Sequence, residues 1–276
     1  MSEIKYSYDT VNFHKTFAPQ DSYLSKILEL ASVGYSGTKE DISEVTGIPT
    51  GKTSGKVVPH ILYAAYMGLI LYQLDKGSYT LSLTPLGKIV QENDKYLFED
   101  VTKLICHYNL CDEDQGACIW SFVYDHLPVM LDETMSETAM KKKYSDYFGV
   151  NVDLTPLKKT YSDDGLLAVL GLIDFTEGIR LNASFFNDTM QYVYAYALLS
   201  SWERSYPEVS ELTSEQLSDK LHWGKRFGFD DDETLYALES LEDIGVVKLN
   251  KQLVPLSIIK TAEAASVLPH LYDLLS

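Results

Sequence analysis

Several stretches hold residues of types that could do chemistry. Gly47-Ile48-Pro49-Thr50-Gly51-Lys52-Thr53 approaches a P-loop, in which backbone N–H groups cradle phosphates and a lysine reaches the outermost one. It has one residue too few between its glycines and no apolar strand ahead of it, which excludes nucleotide binding there. Cys106-His107-Tyr108-Asn109-Leu110-Cys111 invites a metal reading, yet the spacing is not the usual paired one and no second Cys/His pair lies elsewhere, so buried structural cysteines are expected. Asp112-Glu113-Asp114 could bind a divalent cation, but adjacent carboxylates ordinarily mark a solvated loop. Glu99 and Asp100 head a helix, where a carboxylate complements the dipole. Strand cleavage needs metal-bound carboxylates or an activated nucleophile. Glu99, Asp100, His107 and Asp112 to Asp114 are the concentrated candidates; each has a structural explanation, and no catalytic residue or metal ligand is assigned.

Charge points elsewhere. Lys plus Arg number 23 against 40 Asp plus Glu, a net charge of -17 that opposes indiscriminate attraction to a phosphate backbone. Contact with DNA therefore requires a local basic patch. Between Gly47 and Ile70 the basic residues are Lys52 and Lys56, joined by His60, with no Asp or Glu. Lys52, Thr53, Ser54 and Lys56 fall at the N-terminal end of a helix, where N–H groups and side chains meet phosphates and base edges. Lys15 and Lys76 are further candidates for the same face, and Lys141-Lys142-Lys143 is the other basic cluster. A solvated helix face is the competing explanation.

The elements that must position these residues follow from periodicity and caps. Pro19 to Ser22 reads as a helix start with Asp21 or Ser22 as N-cap, and Leu24, Ile27, Leu28 and Ala31 recur at helical spacing to near Gly34. Ahead of it, Phe13 and Phe17 are expected to staple an arm to this helix, with His14 at the surface. Thr38 caps a helix over 39–46, Gly47-Ile48-Pro49 turns, and a longer helix runs to about Met67. Pro59 fits only if that helix begins around Ser54 or Gly55, since the first few N–H groups have no intrahelical partner and proline loses little there. Strands over 69–72 and 79–82 flank the turn residues Asp75 to Ser78, which is a hairpin, and Thr84-Pro85 caps the next helix. Thr38 to Lys88 thus reads as a winged helix-turn-helix.

From Gln91 to Tyr206 the pattern is helical, including 98–110, 117–127, 135–147, 165–175 and 188–201, with a short strand over 178–182. Leu154-Thr155-Pro156-Leu157 is expected to repeat the cap of Leu83-Thr84-Pro85-Leu86. In the tail, Thr213 caps a helix holding Leu217 and Leu221, a loop covers 225–229, and a helix covers 231–244. Strands over 246–249 and 253–256 then make a second wing. Its reading helix carries Asp231, Asp232, Glu233, Glu239, Glu242 and Asp243 with no Lys or Arg, and a phosphate groove would repel it. The expected architecture is mainly α: an N-terminal winged helix with a leading arm and helix over 1–92, a helical middle over 93–206, and a winged-helix-like unit over 207–276.

With 45% hydrophobic and 23% charged residues the chain has the composition of a soluble globular protein. Its apolar runs, such as Ile61 to Leu71, fall short of the ~20 residues a membrane span needs. Three cysteines and no apolar N-terminal run lead us to expect a cytoplasmic protein without disulfides.

Phe13-His14-Lys15-Thr16-Phe17 with Asp21-Ser22-Tyr23-Leu24, Gly68-Leu69-Ile70, Leu83-Thr84-Pro85-Leu86-Gly87, and Asp94-Lys95-Tyr96-Leu97-Phe98-Glu99-Asp100 leading to His107 and Trp120 form a pattern across most of the chain. It resembles a bacterial family built on an uncharacterised domain, encoded beside DNA phosphorothioate-modification and phage-defence genes and including the SspB-like component described as a DNA nickase. Lys15 stands where an acidic residue is common, Gln20 where an arginine is, and Pro59 in the second helix is a further departure. The resemblance implies duplex DNA and other proteins of such a system as partners. Binding of duplex DNA through the first winged helix is the function expected. The alternatives are a metal-dependent nickase, for which alone Mg²⁺ or Mn²⁺ would be needed, and a winged-helix adaptor that touches only protein.

Overall fold

Helix starts in this chain are written by short polar side chains that accept from the first free N–H groups. Thr38 accepts from Asp41 N, and the Asp41 carboxylate accepts from Thr38 N, closing a capping box. Thr213 does the same with Gln216. Thr84 accepts from Gly87 N ahead of Pro85, Ser136 from Ala139 N, and Asp230 from Glu233 N.

The structure, a computed structural model, describes residues 7–51, 55–162 and 164–275. Two compact units are present, Met1–Leu181 and Asn182–Ser276. The first contains α1 (Tyr8–Val11), α2 (Asp21–Ser32), β1 (Ser36–Thr38), α3 (Lys39–Thr46), α4 (Val57–Tyr66), β2 (Ile70–Asp75), β3 (Ser78–Leu83), α5 (Pro85–Asn93), α6 (Asp100–Leu110), α7 (Cys118–Asp125), β4 (Thr134–Met135), α8 (Glu137–Phe148), α9 (Thr155–Tyr161), β5 (Ile173–Asp174) and β6 (Ile179–Leu181). The second contains α10 (Gln191–Ser205), β7 (Glu211–Thr213), α11 (Ser214–Asp219), α12 (Trp223–Arg226), α13 (Asp231–Asp243), β8 (Val247–Asn250), β9 (Ser257–Lys260) and α14 (Ala264–Val267). The chain is mainly α, with small antiparallel sheets ordered β1-β3-β2, β4-β6-β5 and β7-β9-β8. A strand, helices and a strand pair whose second strand lies central thus occur in the same order in both units.

In the first unit Leu24, Ile27 and Leu28 of α2, Ile61 and Ala64 of α4, and Leu81 of β3 are removed from solvent, as is Trp120 of α7. Burial of each large apolar side chain contributes about 1.5–3 kcal/mol against leaving it exposed. Phe13 packs edge-on against Tyr63 and Tyr66, with ring centroids 4.9 Å away in each case. The arm is thereby fastened to α4, where Tyr63 Oη also donates to Phe17 O at 2.9 Å. The β2–β3 turn is Lys76-Gly77, with φ of 47° and 87°, the pair of left-handed residues that matches strand twist in a two-residue hairpin.

In the second unit Trp202, Trp223, Phe227, Leu238 and Leu241 form the core. Helix α10, expected in the middle segment, groups with the tail: Trp223 Nε1 donates to Tyr194 O at 3.1 Å and Gln191 Nε2 to Ser240 O at 2.9 Å.

Several expectations are corrected. No helix covers 165–175; there is a single 3-10 turn, Ala168–Leu170, followed by β5. Gly165 lies where a Cβ would sit 2.1 Å from Lys159 O, and Gly171 takes φ 62°, so glycines break the run at both ends. Thr155 is the first residue of α9 rather than its cap. The last strand is Ser257–Lys260, later than expected, because Pro255 has no N–H for a ladder while Ser257 to Lys260 pair along β8. His14 is buried, not at the surface. Among the described residues no helix is long and apolar enough to cross a membrane.

Candidate nucleic-acid interface

The described residues between α3 and α4 are fixed from several sides. Gly47, at φ 70°, ends α3. Ile48 is fully buried, Ser43 Oγ donates to Ile48 O at 2.7 Å, and Lys26 Nζ donates to Thr46 O at 2.7 Å. Lys39 Nζ reaches Gly51 O at 3.2 Å, and Lys56 N donates to Pro49 O at 2.8 Å. Lys52, Thr53 and Ser54 lie outside the described residues. Lys56 is the N-cap residue of α4, and Pro59, third in that helix, needs no N–H donor there.

His60 is fully buried one turn into α4. Its Nδ1 lies 2.6 Å from Lys56 O, and its Nε2 accepts from Gln20 N at 3.2 Å. A carbonyl on one side and an N–H on the other define a neutral imidazole protonated at Nδ1. Burial pushes its pKa down to about 4. The ring therefore ties the start of α4 to the start of α2 rather than facing a groove.

Lys56 is half-buried. Its ammonium sits 5.5 Å from the centroid of Phe17, 5.1 Å from that of Tyr23, and 3.4 Å from Gln20 Oε1. Lys15 and Lys76 belong to separate elements. Lys15 is ion-paired with Asp9 at 2.5 Å, and Lys76 is exposed at the hairpin tip. On α8, Lys141 pairs with Glu137 at 2.6 Å and Lys142 with Asp146 at 2.5 Å. Lys158 also reaches Glu137, and hydrogen bonds from the two lysines hold that carboxyl down to about 2. Much of the second basic cluster is thus matched by carboxylates. In the second unit α13 opens with Asp231, Asp232 and Glu233 and is as acidic as its sequence.

The candidates for chemistry are dispersed. Asp100 pairs with Lys103 at 3.4 Å. His107 is fully buried, with Tyr161 Oη 2.8 Å from Nδ1 and Tyr124 Oη 3.3 Å from Nε2. Asp112 Oδ1 accepts from Asp114 N and Gln115 N, each at 3.0 Å, which makes the acidic run a self-bonded turn. Cys106 and Cys111 are buried, and desolvation raises the Cys106 thiol. Among the described residues no three His, Cys, Asp or Glu side chains gather as metal ligands would.

Two features escape a reading of the sequence. The buried Asp94 carboxylate accepts from Phe98 N and Glu99 N, each at 2.9 Å, and from Thr102 Oγ1 at 2.6 Å; it anchors the turn leading into α6, whose N-cap residue Glu99 makes no side-chain capping bond. An aspartate shortly ahead of a helix was the available signal. The contacts of Lys56 with Phe17, Gln20 and Tyr23 had no local signal, since they join positions more than thirty residues apart.

The fold itself is that of a known class. Two SspB crystal structures superpose on the chain across 98% of its length. One, magnesium ion-bound, gives a TM-score of 0.76 at 16% identity over 89% of its own chain; the other gives 0.77 at 16% identity over 90%. The chain has the SspB fold. No protein-family model and no curated protein matches the sequence.

Proposed function

We propose that this chain is a DNA-binding component of a DNA phosphorothioate-modification and phage-defence system. In this reading Thr38 to Lys88 is a winged helix whose α4 end meets duplex DNA, with β2–β3 as its wing. The SspB fold over nearly the whole chain is the observation that carries the assignment to such a system. What supports the DNA contact is the stretch from Gly47 to Ile70: it has no carboxylate in a chain of net charge -17, while the matching region of the second unit is acidic. That second unit is then suited to a protein partner of the same system. Lys52, Thr53, Ser54 and Lys56 meet the phosphates, Lys76 and Lys15 flank them, and His60 supports the helix from behind.

The test is binding of a labelled duplex to the whole protein at low salt, followed by anisotropy. Binding that weakens in Lys52→Ala and Lys56→Ala supports the reading. Its absence refutes it and leaves the protein adaptor. A second reading, metal-dependent nicking, draws its support from the magnesium ion in one structural relative. Supercoiled plasmid incubated with Mg²⁺ or Mn²⁺ tests it, and plasmid left unrelaxed at high protein concentration counts against it.

A further inference from the structure

The geometry points to Phe17, Gln20 and Tyr23 as positioning residues that hold the Lys56 ammonium ready for a DNA phosphate; this rests on the DNA-binding reading above. Three observations converge on Lys56. Its ammonium lies over two aromatic rings, 5.5 Å from Phe17 and 5.1 Å from Tyr23. Gln20 Oε1 stands 3.4 Å from the same nitrogen. The backbone is tied in parallel, because His60 donates to Lys56 O and accepts from Gln20 N, while Tyr23 packs edge-on against the His60 ring with centroids 5.0 Å apart. Phe17, Gln20 and Tyr23, together with His60 of α4, thus hold both the main chain and the side chain of Lys56.

An ammonium has three donors. Gln20 engages one, and the ring faces offer attraction without consuming an N–H, so donors remain for phosphate oxygens. A lysine on an unpacked surface gives up rotamer freedom when it binds a phosphate; one held beforehand has already done so. Phe17, Gln20 and Tyr23 are placed to raise affinity without adding charge. A carboxylate would hold Lys56 more tightly but would cancel its attraction for phosphate, and none is among these contacts.

The experiment is a double-mutant cycle in the whole protein, read by duplex binding across a salt series. Tyr23→Leu should weaken binding by about threefold, as expected for a half-exposed cation–π contact, and leave the salt slope unchanged because the charge is still present. Tyr23→Phe, which keeps the ring, should bind as wild type. Lys56→Ala should flatten the slope, and in that background Tyr23→Leu should have no further effect. A side-chain NMR readout needs no DNA: the Lys56 methylenes should be shifted upfield by the rings in the wild type and lose that shift in Tyr23→Leu. Equal losses from Tyr23→Leu with and without Lys56, or Lys56 methylenes at ordinary shifts in the wild type, overturn the positioning role alone. Failure of the wild type to bind duplex sinks the DNA reading and the positioning role together.

Discussion

Acid should loosen the first unit through His60, by an amount that follows from its surroundings. The imidazole is fully buried, and its Nε2 accepts a backbone N–H, so a proton at Nε2 would both charge a desolvated ring and break that bond. Its pKa is held at about 4 against an ordinary 6.5. The unfolded chain therefore takes up the proton first as pH falls. Stability from this group is fully present above pH 6.5, declines as pH falls toward 4, and is constant below. At pH 5 the loss from His60 is about 2 kcal/mol relative to pH 8, rising to about 3 kcal/mol below pH 4. His14 is similarly buried, accepts from Thr16 N at Nδ1, and is also lowered to about 4, which adds a loss of similar size in the same window. Urea unfolding at pH 8, 6 and 5 measures the sum. His60→Gln, which keeps an acceptor near the Nε2 position, should remove roughly half of the pH dependence shared by these two residues. NMR of the ring protons supplies the direct check. A His60 that titrates near 6.5 in the folded protein refutes the reasoning.

Other outcomes follow from single contacts. Asp94→Ala strips acceptors from Phe98 N, Glu99 N and Thr102 Oγ1 and should cost about 3 kcal/mol in chemical denaturation, with Asp94→Asn recovering part; a loss below about 1 kcal/mol contradicts the anchoring role. Gly87→Ala would drive a Cβ to 1.8 Å from Leu69 O, so it should lower the melting temperature sharply, as overpacking against backbone costs at least about 1–3 kcal/mol; wild-type melting refutes the close approach. Native protein at pH 8 should resist thiol labelling, because Cys106 and Cys111 are buried and burial pushes Cys118 up to about 11, a thiolate fraction near ~0.001; rapid labelling without denaturant would show an open thiol.

What could be read in the sequence was local. Thr38 and Gly47 delimit α3 because a cap and a left-handed stop are written within one short segment. The Lys76-Gly77 turn set the hairpin for the same reason. That Pro59 lies near the start of α4 followed from the missing donor, although α4 begins at Val57, later than expected. The burial of His14 and His60 and the cradle around Lys56 depend on contacts distant in sequence, and residue type alone misplaces them. His60 is the clearest case: among carboxylate-free neighbours it looks like a basic surface residue, whereas its ring is the tie between α4 and Gln20. The helix expected over 165–175 does not form, because Gly165 is needed for close backbone approach and Gly171 for a left-handed turn.

The most direct measurement of the central proposal is the salt dependence of duplex binding. Each phosphate contact contributes about 0.9 to the slope of log K against log salt. Lys52→Ala with Lys56→Ala should therefore lower the slope by about 1.8 and weaken binding evenly across DNA sequences. An unchanged slope in the double variant would place the DNA contact elsewhere and contradict the account.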